Sequence, residues 1–311
     1  MLVMKADSSP ARSILALRID HPSIVSVDTE SGNAHVVLDN LEGTPDGIQI
    51  DLEHNLVYWT NMGKDFHLDD GTIEVARLDG TGRRLLVGNG AIRTPKQISL
   101  DREARQLYWC DREGAAIWRC DTDGKNLTKL IDRSSEPGGK DDVLNACVGI
   151  AVDHRRRAFV WTQKGPAKGG KGRIFRASLE MRPGETADNR SDIELLMGDL
   201  PEPIDLEIDE ANDLLYWTDR GAEPDGNSLN RATITETGLT GHRVICKGFT
   251  EAIGLALDPA RNRAYVADLG GNLVEVDIAS GNKKRIDQCG KLTGIALCDA
   301  PPAGLREEAG A

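Results

Sequence analysis

The strongest constraint on this chain is a repeat. Tyr58-Trp59-Thr60-Asn61, Tyr108-Trp109-Cys110-Asp111, Val160-Trp161-Thr162-Gln163 and Tyr216-Trp217-Thr218-Asp219 close four short strands, and Tyr265-Val266-Ala267-Asp268 is a degraded fifth copy. Each follows an apolar run ending in Asp51, Asp101, Asp153, Asp209 or Asp258, at intervals of 50, 52, 56 and 49 residues. A half unit, Gly294-Ile295-Ala296-Leu297-Cys298, comes 40 residues after Asp258. A period in this range marks a propeller or a solenoid.

Each unit reads as four antiparallel strands, A to D. In the first complete unit A spans 47–51, B 56–61, C 73–78 and D 84–87, with Asp79-Gly80 turning C into D. Strand A is apolar at most positions, the pattern of a strand covered on both faces. The Tyr and Trp of strand B belong between adjacent sheets, as packing side chains rather than ligand platforms. Upstream, strands at 14–19, 23–27 and 34–38 lack an innermost partner, while 292–297 is an innermost strand without outer ones. Pairing them completes a sixth sheet and closes the ring, leaving only short, protected edges. The predicted fold is all-β, a six-bladed β-propeller forming one domain over 1–311, ordered from about 14 to 298 with a flexible tail at 300–311.

Strand order then assigns the loops to faces. If A starts at the upper face, B–C and D–A connections lie above, and A–B and C–D turns lie below. The long segments 62–72, 164–172, 220–228 and 132–146 are upper; only 180–191 and 236–242 stand out below. Elaboration of one face of a rigid scaffold is where binding and catalysis concentrate. The site is therefore expected in the upper mouth of the central channel.

Bulk properties narrow the function. A formal net charge of -12 argues against a nucleic-acid partner, which needs a clustered basic face. No apolar run is long enough for a membrane helix, and the N-terminus lacks a secretory n- and h-region, so the reading is cytoplasmic. The six cysteines show no CxxC pair and read as free thiols, and two glycosylation sequons at Asn126 and Asn189 read as chance.

With its five in-register copies of the Tyr-Trp-Thr-Asp strand, the chain from about 14 to 298 resembles the YWTD-type six-bladed propellers. In that family the motif Thr and Asp chiefly tie neighbouring blades together, which implies that Asp111, Asp219 and Asp268 are structural first. Extracellular members such as the low-density-lipoprotein receptor carry disulfide-rich modules and bind proteins; no such module is seen here. The chain looks closer to single-domain intracellular members. Some of these resemble hetero-Diels–Alderases, which join a tropolone-derived ortho-quinone methide to a humulene-type sesquiterpene. The resemblance implies small apolar natural-product substrates and neither cofactor nor metal.

Such a cycloaddition needs an apolar funnel that aligns two partners, and donors or cations at oxygens that gain charge. Formation of the quinone methide by loss of water adds a general acid. Just after strand B the rim offers Asn61, Met62, Asp111, Arg112, Gln163, Lys164, Asp219, Arg220 and Asp268. Just before or at the start of strand A come Asp46, Lys96, Asn145, Cys147, Asp205 and Glu251. Arg112, Lys164 or Arg220 would bind an enolate-like oxygen, and Asp65 or His67 would act as acid. The bland reading of each is a solvated rim charge or a blade-to-blade tie.

Two other functions compete. Propeller lactonases of the gluconolactonase type hold a divalent cation in the channel, and Asp205, Asn145 and Asp46 would approximate an oxygen cage. A protein-recognition module would use the same face, but needs exposed aromatics, and Phe66 is nearly alone in these loops. Apparent motifs fail on inspection. Gly165 to Gly172 mimics a phosphate loop but has Gly172 where Ser or Thr must hold Mg²⁺. Asp121 to Asn126 lacks the calcium-loop oxygen, and no nucleophile elbow or HExxH frame occurs. Of the six histidines only His67 sits in an upper loop.

Overall fold

A computed structural model describes residues 12–299; the tail at 300–311 lies outside the described residues. The ring closes as the repeat requires. Blade one combines β1 (Ser13–Arg18), β2 (Ser23–Asp28) and β3 (Ala34–Leu38). Blade two is β4 (Pro45–Asp51), β5 (Leu56–Asn61), β6 (Thr72–Arg77) and β7 (Arg84–Val87). Blade three is β8 (Pro95–Asp101), β9 (Gln106–Asp111), β10 (Ala116–Asp121) and β11 (Thr128–Asp132). Blade four is β12 (Cys147–Asp153), β13 (Ala158–Gln163), β14 (Gly172–Ser178) and β15 (Glu194–Leu200). Blade five is β16 (Pro203–Asp209), β17 (Leu214–Asp219), β18 (Ser228–Thr235) and β19 (Gly238–Lys247). Blade six is β20 (Ala252–Asp258), β21 (Arg263–Asp268), β22 (Asn272–Asp277) and β23 (Lys283–Gln288). The last strand, β24 (Leu292–Cys298), pairs antiparallel with β1 and completes blade one from the inside.

There is no single core. Six apolar clusters fill the six gaps between blades, each lined by the outward face of one sheet and the inward face of the next. Trp59 packs with Leu15 and Ala296, Trp109 with Tyr58 and Val75, Trp161 with Tyr108 and Ile117, and Trp217 with Val160 and Ile174. All four indoles are fully buried, so the motif aromatics do serve as packing wedges. Inner strands approach closely because strand A carries glycine: a Cβ on Gly149 would stand 2.1 Å from the Ile204 carbonyl oxygen of the next blade.

The motif threonines bridge those gaps. Thr60, Thr162 and Thr218 each accept a strand-A amide of their own blade and donate to the next blade's strand A, at the carbonyls of Lys96, Ile204 and Ile253. The motif carboxylates do something different from the expected blade-to-blade tie. Asp111 accepts the amides of Arg93, Thr94 and Gly114, and Asp268 those of Thr250 and Asn272, at the connection arriving from the preceding blade and at the loop after strand B. A carboxylate with several convergent amides pins the loop before strand A to the loop after strand B.

The expected lower insertion at 236–242 is instead mostly strand, because β18 and β19 run on as one long hairpin turned at Glu236-Thr237. Segment 132–146 holds two single-turn 3₁₀ helices, Gly139–Asp141 and Val143–Asn145. Among the described residues no helix is long and apolar enough to cross a membrane. Cys110, Cys120, Cys147, Cys246 and Cys289 are free thiols.

Candidate functional site

The upper connections of blades two to five converge on a cavity of about 340 Å³ at the channel mouth. Phe66 and His67 reach it from segment 62–72, and Val143 and Ala146 from segment 132–146. Five cations line the wall, Arg93, Arg112, Lys140, Lys164 and Arg220, against two carboxylates, Glu113 and Asp141. Cations thus outnumber carboxylates five to two in this lining, on a protein of net charge -12, and such an excess on a concave wall draws an anionic ligand.

One buried carboxylate behind the wall, Glu202, holds two of the cations in place. Glu202 Oε1 accepts from Lys164 Nζ at 3.0 Å and from Arg220 Nη2 at 2.8 Å, and Glu202 Oε2 accepts the Lys168 amide. Burial opposes ionisation of Glu202, but Arg220 and Lys164 keep its carboxyl below the usual range. Burial also lowers the Lys164 ammonium, with Glu202 opposing and Arg220 and Arg112 adding to the effect. Arg112 Nε meets Glu113 Oε1 at 2.5 Å, and its guanidinium lies 5.3 Å from the Phe66 ring centroid. Arg93 pairs with Asp69 at 2.7 Å.

Beneath the cavity the channel neck is two-sided. At the second position of strand A, blades four to six supply Val148, Ile204 and Ile253, an apolar cluster joined by Leu269. Blades two and three supply Asp46 and Lys96, paired at 2.6 Å, with the Lys96 ammonium 3.3 Å from Met62 Sδ. Burial lowers the Lys96 ammonium; Asp46 opposes this, while Arg112 and Arg220 repel from above. Lower still, burial pushes the Glu207 carboxyl up to about 7, with Arg102 and Gln49 opposing.

Of the residues expected to act chemically, His67, Arg112, Lys164 and Arg220 meet at the cavity; Asp65 and Asp111 do not line it. Asp65 is exposed and accepts the His67 amide, and Asp111 is buried among backbone amides. Among the expected ligand contacts, Glu251 stands behind the wall, 3.7 Å from Arg220 Nε. Asp46, Met62 and Lys96 belong to the neck. Asn61 and Asp268 knot their loops, and so does Asp219, through the amides of Glu202 and Gly221. Cys147 and Gln163 are fully buried under segment 132–146. Asp205 accepts the amides of Leu206 and Leu255, and burial raises its carboxyl well above the usual range.

The oxygen cage does not assemble. Asp46 is paired with Lys96, and the Asn145 amide nitrogen is committed to the carbonyls of Pro137 and Gly139. Among the described residues no three His, Cys, Asp or Glu side chains gather at ligand spacing. The expected apolar funnel is likewise replaced by a largely cationic wall. Glu202, Arg93, Glu113 and Lys140 escaped the sequence reading. Strand A begins two residues before its apolar run and carries a register shift between Pro45 and Ile48, repeated between Pro203 and Leu206. The rim position is therefore Glu202, directly before Pro203, and not Asp205.

No protein-family model matches the sequence. The chain is 42% identical over 289 residues to a Pyricularia oryzae protein named low-density lipoprotein receptor-related protein 1, covering 89% of this chain and 92% of that one. It is also 42% identical over 267 residues to a Cochliobolus heterostrophus protein named 3-hydroxyacyl-CoA dehydrogenase-like protein LAM1, covering 81% of this chain but 56% of that longer protein. Among solved structures, a chain of the nidogen/laminin complex superposes with a TM-score of 0.70 at 18% identity, covering 93% of this chain and 99% of its own. A gluconolactonase from Xanthomonas campestris superposes at 0.61 and 17% identity, covering 93% and 88%. At such identities these two likenesses speak for the fold alone.

Proposed function

The chain belongs to the family of the Pyricularia oryzae protein named low-density lipoprotein receptor-related protein 1, and from that premise we propose that it is a small-molecule enzyme of natural-product assembly. The observation that carries the proposal is the cavity wall with five cations, set above a neck that is apolar on one side and charged on the other. Such a site suits a ligand with an anionic oxygen on one edge and a hydrocarbon partner beside it.

In its specific form the reaction is the hetero-Diels–Alder addition of a tropolone-derived ortho-quinone methide to a sesquiterpene. Arg112, Lys164 and Arg220 hold the tropolonate-type oxygen as it gains charge. His67, at the wall, donates a proton to the leaving hydroxyl, which departs as water. The cycloaddition then forms one C–C and one C–O bond with no leaving group, so the remaining work is alignment.

Calorimetric titration with tropolonate tests the reading, alongside an assay for adduct formation from a hydroxymethyl tropolone and a humulene-type olefin. Tropolonate is expected to bind, more weakly as salt rises, and Arg112→Ala or Lys164→Ala should each lower affinity ~10-fold or more, as for a lost charge-assisted hydrogen bond. Binding without turnover would restrict the site to ligand capture. Absence of binding to tropolonate would favour a propeller that recognises a protein on the same face.

A further inference from the structure

Blade four departs from the rule that blades two, three, five and six obey. Asn61, Asp111, Asp219 and Asp268 each accept an amide from the segment before strand A. In blade four the corresponding amides, Asn145 and Ala146, are spent inside the 3₁₀ turns, on the carbonyls of Asp142 and Val143. An Asp at the motif position there would find no free amide in the segment before strand A. The residue is Gln163, and it is fully buried with no partner for either its Nε2 or its Oε1.

Its neighbours add donors rather than acceptors. Cys147, Gln163 and Arg173 are successive cross-strand partners on β12, β13 and β14, so their side chains leave one face of the sheet. Arg173 donates through Nη2 to the Leu144 carbonyl, has a buried Nε without a partner, and among the described residues forms no ion pair with a carboxylate. Arg133, just beyond β11, also has a buried, unpartnered Nε, and its Nη1 pairs with Glu136 at 3.1 Å. The two guanidinium carbons lie 5.8 and 5.2 Å from the Phe175 ring centroid, and Trp161 stacks on that ring.

The nearby acids are occupied. Asp132 is held by Lys129 and Ser134, and Asp142 caps the Leu144 amide. Burial holds the Cys147 thiol up at about 12, so it stays neutral. The three side chains thus carry three unmet donor groups and one unmet acceptor, and the Arg173 guanidinium, though within the field of Asp142 and Glu136, has no carboxylate in contact among the described residues. The large majority of buried polar groups in folded proteins have a hydrogen-bond partner.

We propose that Arg133, Arg173 and Gln163 form a binding site for a small monoanion of the halide class beneath segment 132–146. The same segment supplies Lys140, Asp141, Val143 and Ala146 to the cavity wall, so the anion fixes that wall from behind.

The probe is bromide. Crystals of the full chain in sodium bromide should show an anomalous peak among the Nε atoms of Arg133 and Arg173 and the amide of Gln163. In solution, chloride or bromide should raise Tm saturably over isethionate at equal ionic strength, because an ion bound only by the folded state stabilises it by mass action. Gln163→Leu and Arg173→Met, checked for folding by circular dichroism, should each lose that halide-dependent shift. Water at the site with identical melts in all three salts overturns the proposal. A crystal peak without a solution response marks an adventitious ion only and overturns it equally. Neither readout involves tropolonate, so the result is independent of the enzyme reading.

Discussion

Asp219 shows how far one rim residue can depart from ordinary chemistry. One of its oxygens accepts the amides of Glu202 and Gly221, at 2.7 and 3.0 Å, while the other is buried without a partner. Burial pushes the carboxyl up to about 7, with the two amides opposing. The folded state therefore keeps a proton that the unfolded chain releases near its usual 3.8. The resulting stability is fully present below that lower value and is lost as pH rises through about 7. Across urea denaturations at a series of pH values between these limits, Asp219→Asn should remove one part of the pH dependence, the part that raises stability toward acid. An unchanged slope in the variant would show that Asp219 titrates normally. At this scale the sequence was partly legible. Arg112, Lys164 and Arg220 follow strand B directly, and a residue that leaves a strand at the mouth has to face it. Glu202 was hidden by the register shift that moves the start of strand A.

Among the elements, strand B does the most to join the blades. Thr218 Oγ1 accepts the Asp205 amide at 3.2 Å and donates to the Ile253 carbonyl at 2.6 Å, so one hydroxyl satisfies two buried backbone groups in adjacent blades. Thr218→Val keeps the shape and removes both bonds. It should destabilise the fold by about 1–3 kcal/mol, the penalty for stranding buried polar groups, measured as a lower denaturation midpoint at constant m-value. A neutral result would mean that the two backbone groups find other partners. The Thr role is the one that the family resemblance implies. The Asp role is not, because its partners lie in the preceding D–A loop, whose conformation no local pattern specifies.

For the whole molecule, closure is the deciding contact. β24 supplies the inner edge of blade one, and its Thr293 hydroxyl donates to the Pro45 carbonyl of blade two at 3.0 Å. Ending the chain at Cys289 removes this strand and leaves β1 with an open edge. Such a variant is expected to lose cooperative thermal unfolding and to associate, read by circular dichroism and size-exclusion chromatography. A sharp melt of a monomer would show that five complete blades suffice. The ring also brings together the cavity wall, which draws on connections of four consecutive blades.

What the sequence determined by itself was the number of blades, the pairing of the two chain ends and the face that carries the long loops. These follow from apolar runs, turns and spacing, each of which acts over a few residues and repeats. Tertiary structure alone decided which charges meet. Phe66, Arg112, Lys164 and Arg220 are each roughly one repeat apart in the chain and become neighbours only when the ring curves their loops toward one axis. The same curvature turned an expected apolar funnel into a cationic mouth, because carboxylates such as Glu202 could be placed behind the wall only once the blades stood side by side.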